Sequence, residues 1–396
     1  MRRLLLAVAL FAAACAPPPS SVDPGAVHFE IDMASALKAG WLDVSTERVG
    51  LRGGVVPLSW NETIYLDDPD GNGVFEGDVV FAAEADSIIP YKIKVDGDDN
   101  PNDGWEVGEN RSFIRTSQPR VKRAFEDTTE PLPATLTGDV RMHESFGNGL
   151  LVPPRHLAVY LPPGYESQTD RRYPVLYMHD GQNVFDVRGA GSEWRFDETA
   201  EELIRANQIA PVIIVGVYNA PARMDEYTPT SMIPPAEMGA GSREPVGGKG
   251  RDYATFLVDE VKPFIDATYR TQPGFESTAL GGSSLGGLIT MSIGTWYPKV
   301  FSGLLVVSPS VWWGEGAIIK MVEEGAAADG RRVWLDMGTR EGEDGVQSAE
   351  ALRDALLSRG FLLGKDLRFV IDEGAEHTEA AWARRGPDML RFLYGR

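Results

Sequence analysis

Thiols and imidazoles are scarce in this chain, with one cysteine and five histidines among 396 residues. A single cysteine excludes a disulfide framework and any zinc site built from several thiolates. Histidine-dependent chemistry must draw on His28, His143, His156, His179 or His377. Basic residues are outnumbered as well, 38 against 58 acidic ones, for a net charge of −20. That balance repels phosphate backbones and anionic lipid, which argues against nucleic acid as a partner. Long apolar runs are missing too: Leu4 to Ala14 falls short of the roughly 20 residues that a spanning helix needs. A hydrophobic fraction of 43% is nonetheless ordinary for a globular protein and excludes wholesale disorder. At about 100–200 residues per domain, the length predicts two domains, or three.

The beginning of the chain predicts export. Met1-Arg2-Arg3 followed by Leu4 to Ala14 has the charged start and short apolar body of a cleaved signal. Cys15 follows Ala12-Ala13-Ala14, where such a signal ends, and the arrangement resembles a bacterial lipobox with Ala12 where leucine is usual. Lipidation of Cys15 would tether the protein to a membrane, and plain cleavage would release it. The expected location is therefore periplasmic, cell-surface or secreted, with the lipid anchor as the sole membrane contact. Pro17-Pro18-Pro19-Ser20-Ser21 reads as an extended tether. The predicted organisation is a signal over 1–15, a tether over 16–25, a β-domain over 26–116, a linker over 117–137 and a second domain over 138–396.

Short β-like runs separated by turns fill the first block: Val27–Ile31, Val49–Arg52, Glu62–Leu66, Gly77–Phe81 and Pro90–Val95. Their spacing predicts a small all-β sandwich. The turn Asp68-x-Asp70-x-Asn72-Gly73 opens like a calcium loop, yet Val79 occupies the position where that loop needs a bidentate Glu, so a hairpin turn is favoured. Val49–Arg52, Trp60, Tyr91-Lys92, Trp105-Glu106 and Asn110-Arg111 resemble starch-binding-like, Ig-like carbohydrate modules. That resemblance implies sugar stacking on Trp60 and Trp105, whereas burial in the core is the competing reading of both rings. Beyond the linker, apolar runs alternate with amphipathic segments. The runs are Leu157–Leu161, Val175–Met178, Val212–Val217, Thr278–Gly281, Leu304–Val307, Val333–Leu335 and Leu367–Ile371. Such alternation predicts an α/β domain with a doubly wound, mostly parallel sheet buried on both faces.

Within it, Gly282-Ser283-Ser284-Leu285-Gly286 fits G-x-S-x-G with Ser284 central, after a strand and before a helix-compatible run. A nucleophile on that sharp turn is crowded by its own strand and helix, which explains the glycines. Serine needs a base held by a third group, and the α/β-hydrolase order is Ser, acid, His. His377 is the one histidine after Ser284. Glu341, beyond the Gly338-Thr339 turn, is the preferred acid, with Asp336 next and Glu343 or Asp344 behind. For the oxyanion hole the expected donors are the Leu285 amide and that of Gln182 or Gly181. His179, which precedes that loop, is the rival base and is expected to shape the loop instead. Trp312 and Trp313 are expected either to flank the mouth of the site or to pack on a neighbouring helix. Pro221–Arg251 has the length and composition of a substrate loop. Arg223 within it would bind an anionic substrate group or pair with Asp225 or Glu226.

These motifs together resemble the esterase D/enterochelin-esterase-like group of α/β-hydrolases, feruloyl esterases included. The matching residues are Val159–Tyr165, His179–Asn183, Arg223 to Pro229, Gly282–Gly287, Ser308–Trp313, Gly338–Glu341 and Glu376-His377. The resemblance implies a serine carboxylic-ester hydrolase with an acyl-enzyme mechanism and neither metal nor organic cofactor. Carbohydrate-linked acyl esters and siderophore-type lactones are the substrates it suggests. Acyl transfer on the same fold, or a catalytically silent glycan-binding lipoprotein, are the alternatives.

Overall fold

The computed structural model describes residues 26–396 apart from 41, 56, 61, 82–87, 98–103, 107–110, 115–119, 126–133, 150–151, 188–191, 221, 234–244 and 343. Cys15, the predicted signal and the tether lie outside the described residues, as does Glu343.

The first block holds β1 (Ala26–Asp32), α1 (Ala34–Ala39), β2 (Arg48–Gly53), β3 (Ile64–Tyr65), β4 (Val74–Val80), β5 (Ile88–Asp96), β6 (Arg111–Ile114) and β7 (Arg120–Ala124). They form two small sheets, ordered β4-β1-β7 and β3-β2-β5-β6. Alternating side chains of both sheets, among them Phe29, Val49, Tyr91 and Val121, share one core. Arg120–Ala124, expected in the linker, is a strand that pairs in parallel with β1. The acidic turn links β3 of one sheet to β4 of the other, closed by an antiparallel bridge between Asp67 and Glu76, and Asp68 accepts the Asn72 and Gly73 N–H groups at 3.1 and 2.9 Å. Trp60 and Trp105 are both half-buried and lie against each other, 6.4 Å between ring centroids, with the Arg52 guanidinium over Trp105.

The second block opens with β8 (Asp139–Phe146), β9 (Arg155–Leu161), β10 (Val175–His179), α2 (Phe196–Arg205), β11 (Ile213–Val217) and α3 (Arg223–Glu226). A two-stranded ladder of β12 (Ser231–Met232) and β13 (Val246–Gly247) follows, then α4 (Gly250–Phe256) and α5 (Lys262–Thr268) joined by a π turn at Leu257–Val261. Next come β14 (Thr278–Ser283), α6 (Leu285–Trp296), β15 (Gly303–Val307) and α7 (Ala317–Glu324). The chain closes with β16 (Arg332–Gly338), α8 (Gly345–Ser358), β17 (Leu367–Asp372) and α9 (Glu379–Tyr394).

Eight strands form one sheet in the order β17-β16-β15-β14-β10-β11-β9-β8. The six from β17 to β11 are parallel, while β9 pairs antiparallel with β11 and the edge strand β8 pairs antiparallel with β9. Every residue of β10, β11, β14 and β15 is buried, because helices cover both faces. One face packs under α4 to α8 through residues such as Phe256, Leu288 and Leu352, and the other under α2 and α9 through Phe196, Trp382 and Leu390. This is the doubly wound, mostly parallel α/β architecture that the alternating pattern predicts.

Candidate active site

Register in the parallel sheet aligns Ser283 with Val307 and Val307 with Asp336, so the ends of β14, β15 and β16 open on one edge. Loops at the carboxyl ends of parallel strands are where this architecture builds its sites. Ser284 sits there between β14 and α6 with φ 59° and ψ −123°. A positive φ at a residue with a side chain is strained, and the surroundings must hold it. The frame is visible: Ser284 N–H donates to Val307 O at 3.1 Å, and Ser310 N–H donates to Ser284 O at 3.1 Å. A Cβ at Gly282 would lie 3.0 Å from the Gly286 backbone and from the His179 ring, so the crowding inferred from the motif is real. The Ser284 hydroxyl lies 3.4 Å from that of Ser310.

His377 stands in the loop between β17 and α9, its side chain 44% exposed. Its Nδ1 is 2.8 Å from Glu341 Oε2, and the Glu341 side chain is fully buried. The other oxygen of Glu341 accepts from Gly338 N–H at 2.7 Å and from the Ser308 hydroxyl at 2.8 Å. Asp336 is committed elsewhere. It accepts from Trp334 Nε1 at 2.6 Å, from Ser308 N–H at 3.0 Å and from Arg385 at 3.1 and 3.2 Å. Burial pushes its carboxyl up to about 6, against the opposing pull of Arg385. Of the two leading acids, the structure thus joins Glu341 and not Asp336 to His377.

His179 is buried and shares a 2.8 Å hydrogen bond with the Tyr253 hydroxyl. Burial pushes its imidazole down to about 3, so it is neutral at physiological pH. Its ring packs behind the elbow, with the Tyr227 and Tyr253 rings 5.3 and 5.4 Å away. Asp180, next in the chain, has φ 55° and receives Arg223 at 2.7 Å on each oxygen, with Asn219 Nδ2 also at 2.7 Å. Burial opposes that charge, yet the Arg223 guanidinium holds the carboxyl below its ordinary range. The expected partners of Arg223 are therefore corrected. Asp225 binds Lys249, and Glu226 forms a buried pair with Arg155, because the turn of α3 directs Arg223 at Asp180 instead. Arg223 keeps 30% of its side chain exposed while fixing the loop that follows Asp180.

Gly181–Asn183 form a single 3-10 turn, so the Gly181 and Gln182 amides have no acceptor within it. The same holds for Leu285, the first residue of α6. Only glycine fits at 181, where a Cβ would come within 2.4 Å of the Gly216 backbone. Trp312 and Trp313 part company. Trp312 is 50% exposed, whereas Trp313 is fully buried and donates Nε1–H to Thr230 O at 2.7 Å. A ring with no accessible face cannot line the mouth of the site, so Trp313 instead braces the described part of the predicted substrate loop.

Sequence reasoning missed the cavity beside the 3-10 turn, a space of about 350 Å³ lined by Gly181, Gln182, Met142, Phe185 and Tyr218 among others. Its walls come from distant segments with no common motif, so no local signal pointed to it. A larger cavity of about 660 Å³ opens at the opposite edge, where Thr278, Gly303 and Arg332 begin their strands, away from the candidate site.

Known proteins resemble this chain in sequence and in fold. The esterase family model, described as "Putative esterase", matches residues 151–390. The uncharacterized protein YbbA of Bacillus subtilis is 25% identical over 252 residues, which are 61% of this chain and 93% of YbbA. The siderophore enterobactin esterase of Emericella nidulans is 35% identical over 150 residues, 37% of this chain and 48% of that enzyme. The enterobactin esterase FES of Shigella flexneri, solved in the presence of enterobactin, has a similar fold with a TM-score of 0.52 at 14% identity, over 88% of each chain. That likeness of fold extends beyond the hydrolase sheet into the first block. The chain belongs to the enterochelin-esterase-like esterase family and is a carboxylic ester hydrolase.

Proposed function

We propose that this chain is an exported serine esterase in which Ser284 is the nucleophile, His377 the base and Glu341 the group that orients it. The observation that carries this reading is the 2.8 Å contact of a buried Glu341 with His377 Nδ1, on the sheet edge that also presents a strained Ser284. With Nδ1 occupied by the carboxylate, Nε2 is left to take the serine proton, and the carboxylate stabilises the imidazolium so formed. Ser284 Oγ attacks the ester carbonyl, and its negative oxygen is received by the amides of Leu285 and of Gln182 or Gly181. His377 then protonates the leaving alcohol, and a water activated by the same imidazole clears the acyl-enzyme.

Substrates of the proposed class are acyl esters on carbohydrate and siderophore-type lactones. The 350 Å³ cavity beside Gln182, with Phe185, Tyr218 and Met142 in its wall, supports an aromatic or apolar acyl group. The exposed Trp312 supplies a second aromatic surface near Ser310. Export rests on the sequence of residues 1–15, and intact mass of the membrane fraction from wild type and Cys15→Ser tests lipidation.

A fluorophosphonate probe and an ester panel, run with wild type and Ser284→Ala, test the catalytic reading. Labelling of wild type at Ser284, and a loss of turnover of roughly 10³-fold or more in the variant, are expected. An unlabelled, folded wild type would remove Ser284 as nucleophile. Product analysis with a sugar acceptor present is expected to give free acid; an acylated sugar would make the enzyme a transferase.

A further inference from the structure

We propose that Ser308 is a positioning residue for the triad acid, its hydroxyl oriented by Trp382 and Arg385 of the last helix so that Glu341 offers a single oxygen to His377. The inference rests on the serine-esterase reading and adds to it a residue that acts through Glu341.

Ser308 follows β15 with φ 41° and is buried. A hydroxyl has one proton to give and two lone pairs to offer. Here all three are spoken for. Trp382 Nε1 and Arg385 Nη2 each lie 3.0 Å from Ser308 Oγ, and Glu341 Oε1 lies 2.8 Å from it. Indole and guanidinium N–H groups can only donate. Both lone pairs of Ser308 are thereby filled, and its proton has one acceptor left, Glu341 Oε1. Gly338 N–H reaches that same oxygen at 2.7 Å. Two donors on Oε1 fix the rotation of the carboxylate, which leaves Oε2 aimed at His377 Nδ1.

Position in the fold makes this more than a local bond. His377 lies just before α9, and Trp382 and Arg385, three residues apart on one face of that helix, reach back to Ser308 at the end of β15. The Trp382 ring also meets the His377 ring edge-on, 5.0 Å between centroids. One helix therefore orients both the base and, through Ser308, the acid. The charged groups around the carboxylate are Asp336, Asp372 and Arg385. Arg385 contacts Asp336 at 3.1 Å, Asp372 at 2.9 Å and Glu341 at 3.8 Å, a single cation among three carboxylates. Ser308 N–H, meanwhile, ties the same residue to Asp336. The two residues on either side of Pro309 divide the work: Ser310 frames the nucleophile and Ser308 holds the acid.

Ser308→Ala removes the hydroxyl, and Ser308→Gly removes it at a backbone angle that glycine adopts without strain. Trp382→Phe keeps the ring but frees one lone pair of the hydroxyl, which serves if neither Ser308 variant folds. Each protein is titrated with the fluorophosphonate so that turnover refers to competent sites. Both Ser308 variants are expected to lose at least tenfold in kcat with KM within twofold. The acidic limb of their kcat/KM profile is expected to move to higher pH, because a carboxylate with one donor fewer attracts the imidazole proton more strongly. Trp382→Phe is expected to shift kcat and the limb in the same directions by less. Folded variants with wild-type kcat and an unmoved limb, whatever their melting temperature, would overturn the proposal. A wild type that the probe does not label at Ser284 would instead remove the serine-esterase reading.

Discussion

Glu341 and Asp336 are five residues apart, both fully buried, and their roles are set by partners that the local sequence does not reveal. From sequence, Glu341 ranked first because it lies past the Gly338-Thr339 turn, and that criterion named the residue in contact with His377. What Asp336 does was illegible, since its counterion Arg385 is 49 residues away and on a helix. The difference is testable. Glu341→Gln is expected to lower turnover by about 10³–10⁴-fold while the protein stays folded, as removal of the orienting carboxylate does in serine hydrolases. Asp336→Asn strips Arg385 of a buried counter-charge and is expected to cost roughly 3–5 kcal/mol of stability by urea denaturation. His179, just before the Gly181–Asn183 turn, is buried and bonded to Tyr253, and burial pushes its imidazole down to about 3. Its folded-state pKa of about 3 lies below the unfolded value near 6.5, so the unfolded chain binds the extra proton between those limits. Stability from this group is full above pH 6.5 and drains away as pH falls toward 3, by up to about 1.4 kcal/mol per pH unit. Unfolding free energies of wild type and His179→Gln between pH 7 and 4 should converge as the pH is lowered. Parallel curves would mean that the imidazole is protonated in the native protein.

Among the elements, those with a buried face were legible and those without were not. Strands β10, β11, β14 and β15, buried at every residue, match apolar runs to within two residues at each end, because a parallel strand covered on both faces must be apolar throughout. The edge strand β8, Asp139-Val140-Arg141-Met142-His143-Glu144-Ser145-Phe146, is half exposed and largely polar, and nothing in its pattern announced a strand. Arg120–Ala124 was hidden likewise: only Val121 is buried in β7, and its basic neighbours read as linker. Amphipathic spacing runs through α4 and α5, but the π turn that joins them depends on hydrogen bonding and leaves no mark in that spacing. Helix α2 carries a cost that its amphipathic pattern hides. Asp197 is buried in its first turn, where Thr137 N–H donates to it at 2.6 Å. Burial, together with a hydrogen bond to Glu198, raises its carboxyl well above the usual range. The native state therefore holds a proton that the unfolded chain has already released, and stability falls as pH rises through that interval. Asp197→Asn cannot ionise and still offers an acceptor to Thr137. Its melting temperature should exceed that of wild type by a margin growing from pH 5 to pH 9, to about 2–4 °C. A margin independent of pH would assign the gain to packing.

The whole molecule is built on separate cores. One comprises residues between Val27 and Phe125 enclosed by the two small sheets, and the described core clusters of the hydrolase block draw on none of them. The sequence made this division legible through its change of texture, from short β runs to alternating strands and helices. It placed the end of the first unit too early, because β7 pairs with the distant β1, His28 opposite Arg120. Two cores predict two cooperative units. The first, with about a hundred residues, buries a smaller fraction of its surface than the hydrolase block and has less stability to lose. Scanning calorimetry of the full chain is therefore expected to resolve two transitions, the smaller in enthalpy at the lower temperature. Everything proposed for catalysis, from the Ser284 elbow to the Glu341–His377 pair and the α9 residues behind it, lies in the larger unit. Fluorophosphonate labelling at temperatures between the two transitions should accordingly proceed at the native extent and vanish only with the second. One transition, with labelling lost in step, would show instead that the β-unit and the hydrolase block stand or fall together, and that the site depends on both.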